Sequence, residues 1–375
     1  MISDYRLEQN LPYDLTRPVA EMAAFFDILP QSDSTDVLKI VQEADGCVAI
    51  LQTEDGTRRV SRPFTILQDV RGEWVRCAKL AVLDVLGQAV RRGLVMPWGI
   101  LTGVRPGKLA HKLLDSGLSC DELPQYLERH YLLPHGQAQL LTEICLRQRQ
   151  LLPAAEKQVG IYIGIPFCPT RCSYCSFPSG IVPLEEELQQ KFLNFIEQDM
   201  LTVVQLLSMY SLNVTAVYIV GGLSETAFAR LIALTARHLL LPGVREFTVE
   251  AGRPDCFSAE KLKVMEACGV NRISVNPQTL HDKTLKAIGR SHTVQDFYRS
   301  YDLVRHSGIK TVNTDLIIGL PGETADDVRA SLDGIRALAP DNLTVHTLTL
   351  KKSAPIFGAQ FSSLTAEDAE ALVAY

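Results

Sequence analysis

The sequence predicts an α/β fold: a partial (β/α)6 barrel preceded by a small α+β N-terminal domain. Three observations carry that reading. From Gly160 onward, apolar runs with strand character alternate with amphipathic helical stretches, six times over. Before Pro153 the pattern is instead a hairpin followed by a train of helices. The length, 375 residues, suits two domains better than one.

In the first domain, expected over residues 1–155, Val37–Gln42 and Cys47–Gln52 read as strands. Glu54-Asp55-Gly56 reads as a turn into a third run, Arg59–Leu67. Glu73–Arg92 sets Trp74, Ala78, Ala81, Val85 and Ala89 at helical spacing. Helices are then expected near Lys108–Asp115, Cys120–His130 and Gln137–Leu152, where Pro153 stops the last. Gly103-Val104-Arg105-Pro106-Gly107-Lys108 resembles a phosphate loop but is one residue short and continues with Leu109. Arg105 and Lys108 fit a solvated helix start, and the domain shows no catalytic constellation.

In the second domain, expected over residues 156–352, the strand runs are Ile161–Ile165, Val214–Val220, Glu246–Ala251, Asn271–Asn276, Lys310–Ile318 and Asn342–Leu350. Glu185–Tyr210 places Leu188, Phe192, Phe195 and Ile196 on one helical face. Alternating strands and helices imply a parallel sheet with right-handed crossovers. Six repeats cannot close the eight-stranded barrel, so a partial barrel or an open sheet is expected, and in either case ligands belong at the C-terminal strand ends. Residues 353–375 are expected to begin a further region, truncated soon after a helix start at Thr365 with Asp368 three positions on.

Composition is that of a globular chain, 46% hydrophobic and 21% charged, with a net charge of −6. Disorder, collagen and coiled coil are excluded as the main architecture, and a general attraction to nucleic acid is not expected. No apolar run is long enough to cross a bilayer, and Met1–Pro18 lacks a signal-peptide core. The expectation is a cytoplasmic protein, with no membrane association, whose nine cysteines are reduced.

Three of those cysteines, Cys168, Cys172 and Cys175, follow the first strand of the repeat region at C-x3-C-x2-C spacing. Three thiolates on one loop can hold three irons of a cubane cluster and leave the fourth open to a small molecule. A structural zinc is the alternative, with Cys256 or Cys268 brought in by the fold as a fourth ligand. Buried, unrelated thiols fit less well beside Pro169, Arg171 and Ser173, which are loop residues.

The spacing and its place after the first strand resemble the radical S-adenosylmethionine (SAM) superfamily. Tyr162-Ile163-Gly164-Ile165-Pro166-Phe167-Cys168 is similar to a Y-x-H-I-P-F-C run of the oxygen-independent coproporphyrinogen III oxidase family. Gly164 replaces the usual His. With Pro169-Thr170-Arg171-Cys172 and the added N-terminal domain, the chain resembles the coproporphyrinogen dehydrogenase, or HemZ-like, branch. The resemblance runs from about Gly160 to Leu350.

It implies that Cys168, Cys172 and Cys175 ligate a [4Fe–4S] cluster whose open iron takes SAM. It implies SAM contacts from Tyr162, Tyr174, Gly221, Gly222, Glu250, Gln278, Arg290 and Asp315. Packing beneath the loop is the other reading of Tyr174, a half-buried strand ring that of Tyr162, and a surface salt bridge that of Glu250. Arg290 suits the SAM carboxylate and Asp315 the ribose hydroxyls. Both are expected to hold SAM rather than the fold, so losing Arg290 should little affect stability without SAM. Val220, Leu223 and Ser224 depart from the family's G-G-G-T-P-T, and Gly252 and Arg253 from V-E-A-N-P. His292 and His346 receive no role.

The resemblance further implies oxidative decarboxylation of coproporphyrinogen III to protoporphyrinogen IX, in haem biosynthesis, by a monomer reduced by a low-potential flavodoxin or ferredoxin. Haem-binding carriers belong to the same lineage, and another radical SAM substrate is the remaining alternative. Residues 1–375 are expected to bind the cluster and SAM without completing tetrapyrrole turnover.

Overall fold

Side-chain alternation builds the sheet of the first unit. Its elements are β1 (Asp4–Asn10), α1 (Thr16–Ala23), β2 (Leu29–Pro30), β3 (Val37–Glu43), β4 (Gly46–Thr53) and β5 (Gly56–Pro63). Helices α2 (Val70–Val90), α3 (Pro106–Asp115), α4 (Leu123–Tyr131) and α5 (His135–Leu151) follow. This computed structural model describes residues 2–43, 46–65, 70–90, 96–102, 105–151, 157–177, 180–250, 252–254, 257–359, 364–365, 368 and 371–372. Contacts divide the chain into two units, Met1–Ala155 and Glu156–Tyr375.

The strands of the first unit run in the order β2-β1-β3-β4-β5. β3, β4 and β5 pair antiparallel, and Gly56 takes φ 125° in the predicted turn. Leu38, Ile40, Ala49 and Leu51 are buried with Trp74, Cys77, Ala78, Ala81 and Val85 of α2. β1 and α1 are not foreseen from the sequence. Tyr5 is the one fully buried residue of β1, so that strand carries no alternation to read. Arg105 and Lys108 lie exposed at the start of α3. Gly103, Val104, Leu67, Arg92, Leu152 and Pro153, named in the sequence reading, lie outside the described residues.

The second unit alternates strands and helices. It contains β6 (Gln158–Gly164), β7 (Phe167–Cys168), β8 (Gly180–Ile181), α6 (Glu186–Met209), β9 (Asn213–Val220), α7 (Glu225–Leu239), β10 (Glu246–Glu250), α8 (Ala259–Ala267) and β11 (Arg272–Ser274). α9 (Asp282–Ala287), α10 (Val294–Arg305), β12 (Thr311–Ile318), α11 (Ala325–Ala337) and β13 (Asn342–Thr347) complete it. The main sheet is parallel and runs in chain order, β6-β9-β10-β11-β12-β13. That order is the product of repeated same-handed crossovers and makes a half-barrel. Val217, Ile219, Phe247, Val249, Ile273 and Val312 share a core with Leu193, Phe228, Leu231, Phe297 and Val304 from the helices.

Several helix starts of the second unit are fixed by side-chain caps. Thr293 with Asp296 and Thr324 with Asp327 form reciprocal capping boxes. Thr365 and Asp368 make the same exchange of hydrogen bonds. Ser224, which stands where the family motif differs, caps α7 by accepting from the Ala227 amide and donates to Glu186.

The cysteine loop is clasped to the end of β9. The Ile165 amide donates to the Val220 carbonyl at 2.8 Å, and the Gly222 amide to the Phe167 carbonyl at 2.7 Å. Gly221 sits between them at φ 111°, where a Cβ would lie 2.2 Å from the Ile165 oxygen. The substitution Gly221→Ala therefore meets both an unfavourable backbone region and a backbone clash. We expect it to lower the stability of the second unit by about 2–3 kcal/mol, read as a lower calorimetric transition with the first unit unchanged.

Candidate active site

At the C-terminal strand ends of the second unit lies a cavity of about 590 Å³, within the size range of ligand sites. All of the residues singled out by sequence reach it: Cys168, Cys172 and Cys175; Tyr162 and Tyr174; Gly221 and Gly222; Glu250, Gln278, Arg290 and Asp315. They come from six strands or strand ends, the loop after β7 and the loop after α9, so only the folded unit collects them.

The cysteine loop is held by backbone bonds at several points. Val182 donates to the Cys168 carbonyl at 3.1 Å, Ser173 to the Ile288 carbonyl at 2.9 Å, and Ile356 to the Ser173 carbonyl at 2.9 Å. Cys172 is buried, while Cys168 and Cys175 are half-buried. Burial, reinforced by the neighbouring thiols of Cys175 and Cys172, pushes the Cys168 thiol above its ordinary range. A cationic group placed among the three would relieve that repulsion. Among the described residues no three His, Cys, Asp or Glu side chains are gathered to hold a single ion. A cubane takes one thiolate per iron, so its ligands need not converge on a point, and the donor set fits it. Cys268 caps α8 and does not line the cavity, and Cys256 lies outside the described residues.

Two carboxylates face this loop. Glu250 ends β10, and its Oε2 accepts from the Tyr218 hydroxyl at 2.5 Å. Burial pushes the Glu250 carboxyl above its usual range, with the Asp315 charge adding to the effect and Tyr218, His346 and Arg290 opposing it. It is therefore a half-buried acid bonded to a tyrosine, not a surface salt-bridge partner. Asp315 on β12 accepts from Asn276 Nδ2 at 2.9 Å and Asn313 Nδ2 at 2.8 Å, with His346 Nε2 3.8 Å away. Tyr162 stacks on Tyr218 with ring centroids 5.8 Å apart, and it is 60% exposed, more open than a half-buried strand tyrosine.

Arg290 is only 8% exposed. It donates to the carbonyls of Asn276 at 2.7 Å and Gly252 at 3.1 Å, and to the Tyr174 hydroxyl at 2.9 Å. Tyr174 also packs against the Leu285, Ile288, Ile317 and Leu320 cluster, so its packing reading holds as well. The expectation that Arg290 leaves the ligand-free fold untouched is thus corrected. Its guanidinium ties three loops together while presenting charge at the cavity wall. Gln278 takes a left-handed φ of 70° as the chain leaves β11, and pairs with β12 on both sides: its amide donates to Asp315, and its carbonyl accepts from Ile317.

Sequence reasoning missed Tyr218, Asn276, Asn313 and Arg253, all of which line the cavity. Polar residues inside apolar strands were the available signal for Asn276 and Asn313. Arg253 carried none beyond its departure from the motif.

The fold and this cavity define the class. Residues 162–335 match the Radical SAM superfamily, a family that uses a [4Fe–4S] cluster and SAM. The chain is further similar to individual curated proteins. It is 40% identical over 269 residues to the oxygen-independent coproporphyrinogen-III oxidase-like protein HemZ of Bacillus subtilis, spanning 70% of this chain and 54% of that protein. It is 34% identical over 196 residues to the heme chaperone HemW of the same organism, spanning 51% of this chain and 50% of HemW. The fold is similar to coproporphyrinogen III oxidase (HemN) from Escherichia coli, with a TM-score of 0.51 at 20% identity over 62% of this chain and 54% of that one. The chain spans about half the length of the curated relatives it matches.

Two outcomes follow from the buried polar groups. Because the folded state raises the Glu250 pKa, the carboxyl contributes stability below its unfolded pKa, and this is lost as pH rises through the folded one. Glu250→Gln should therefore melt higher than wild type at neutral pH without ligand, the difference shrinking toward pH 4, while SAM affinity falls. Arg290→Leu should weaken SAM binding by about 1.5–3 kcal/mol in calorimetry. It should also lower the ligand-free melting temperature, because three acceptors lose their donor.

Proposed function

We propose that this chain is a radical SAM oxidoreductase that acts on a tetrapyrrole. Its reaction is the oxygen-independent oxidative decarboxylation of coproporphyrinogen III to protoporphyrinogen IX. The observation that carries the reading is the single cavity in which three loop thiols face two carboxylates, an arginine and an open tyrosine ring. The 40% identity to the HemZ protein supports the choice of substrate class.

Cys168, Cys172 and Cys175 would hold the cluster. When bound, the cluster and SAM would supply low-potential electrons and the abstraction of a hydrogen atom. Arg290 places positive charge for a carboxylate at the wall formed by Gly252, Asn276 and Tyr174. Asp315, oriented by the amides of Asn276 and Asn313, keeps lone pairs for hydroxyl donors. Glu250, fixed by Tyr218, offers a second acceptor. Gly221 and Gly222 hold the cysteine loop against β9 and leave no side chain between loop and cavity. Tyr162 presents a flat apolar face at the mouth, suited to a large ring. The electron donor in this reading is a flavodoxin or ferredoxin, and the compartment is the cytoplasm, where thiols stay reduced.

The likeness to HemW favours one second reading, haem carriage. His346, 56% exposed in the cavity, is the residue that could ligate haem iron in that case. The two readings separate in one experiment. The anaerobically reconstituted chain is given reductant, SAM and coproporphyrinogen III, and separately haem. We expect substrate-dependent cleavage of SAM to methionine and 5′-deoxyadenosine, lost together with the iron in Cys172→Ala. Haem binding through His346 with no SAM cleavage would favour the carrier.

A further inference from the structure

We infer that Arg253 raises the reduction potential of the cluster by hydrogen bonding to the sulfur of Cys172. The inference rests on the assignment of Cys168, Cys172 and Cys175 as cluster ligands. Arg253 is 6% exposed and lies in the loop after β10. Its Nη1 donates to the Thr170 carbonyl at 3.1 Å and to Cys172 Sγ at 3.7 Å, and its Nη2 donates to Ser291 Oγ at 2.6 Å. Thr170 and Cys172 belong to the cysteine loop and Ser291 to the loop after α9, so the fork is fixed from both sides.

Cys172 is itself 8% exposed. A full positive charge held beside its sulfur acts through little water, so its effect is weakly screened. Reduction adds negative charge to a cluster and its thiolates. A guanidinium at one sulfur stabilises the reduced form more than the oxidised one, and hydrogen bonds to cluster sulfurs are among the factors that set the potential. Arg253 is thus a positioning and tuning residue. It touches a ligand of the cluster, and the motif departure at Gly252-Arg253-Pro254 supplies it.

The test uses the full chain reconstituted anaerobically with iron and sulfide, titrated by spectroelectrochemistry alongside Arg253→Met and Arg253→Gln. For Arg253→Met the reduced-to-oxidised ratio at the wild-type midpoint should fall about tenfold, 59 mV for a one-electron couple. Arg253→Gln, which keeps a donor but no charge, should move the same way by less. Iron and sulfide per chain should match wild type, a result that a merely structural role would not combine with a shifted potential. If Arg253→Met fails to hold a cluster, Arg253→Gln decides. Variants with full clusters at the wild-type potential overturn this inference alone. A wild-type chain that takes up no iron overturns the cluster assignment and the inference with it.

Discussion

The Gly222 amide donates to the Phe167 carbonyl, the Ile165 amide donates to the Val220 carbonyl, and Gly221 turns through φ 111° between them. This clasp fixes the loop carrying the cysteines to the strand beside it. Three thiols on a free loop would point in many directions, and ordering them would cost conformational entropy. Here the loop is already ordered by main-chain bonds to β9, to the turn after α9 and to Ile356. Because Gly221 approaches the Ile165 oxygen so closely, the two glycines are first a requirement of packing; the ligand cavity beside them follows from it.

Around that loop the site gathers groups that a stable fold would not choose. Glu250 is a half-buried acid with a raised pKa, and Cys168 a thiol pushed up by burial and by its neighbours. Glu250, Asp315 and Arg290 are each held by neutral partners: the Tyr218 hydroxyl on Glu250, the Asn276 and Asn313 amides on Asp315, and carbonyls on Arg290. Buried polar groups are tolerated when they are hydrogen-bonded in this way, and they remain a cost until a ligand completes them. A site that is expensive when empty and satisfied when filled binds a polar, zwitterionic ligand well.

The half-barrel was legible because its signal is periodic. Each strand run carries apolar residues, and the structure pairs the runs in chain order, β6-β9-β10-β11-β12-β13. The reading overran at the strand ends: Asn271–Asn276 was read as strand, while β11 spans Arg272–Ser274. Those extra residues are where the chain leaves the sheet to build the cavity, and local periodicity does not encode that departure. β1 was invisible because one buried tyrosine gives no alternation. In the site, the cysteines stand out by their spacing, whereas Glu250, Arg290 and Asp315 come from the resemblance to the family's motifs. Arg253 was not found, since its meaning lies in the Cys172 sulfur 81 positions away in the chain. The double task of Arg290 was likewise hidden, because its acceptors are main-chain carbonyls of other loops.

The central claim is that the three cysteines leave one iron of a cubane open toward the pocket walled by Glu250, Arg290 and Asp315. Mössbauer spectroscopy of the chain reconstituted with 57Fe, recorded with and without SAM, tests it most directly. The account predicts a cubane spectrum in which SAM shifts a single iron site and leaves the others in place, and predicts that Asp315→Ala weakens that response without loss of iron. A spectrum indifferent to saturating SAM, or zinc bound in place of iron, would contradict it.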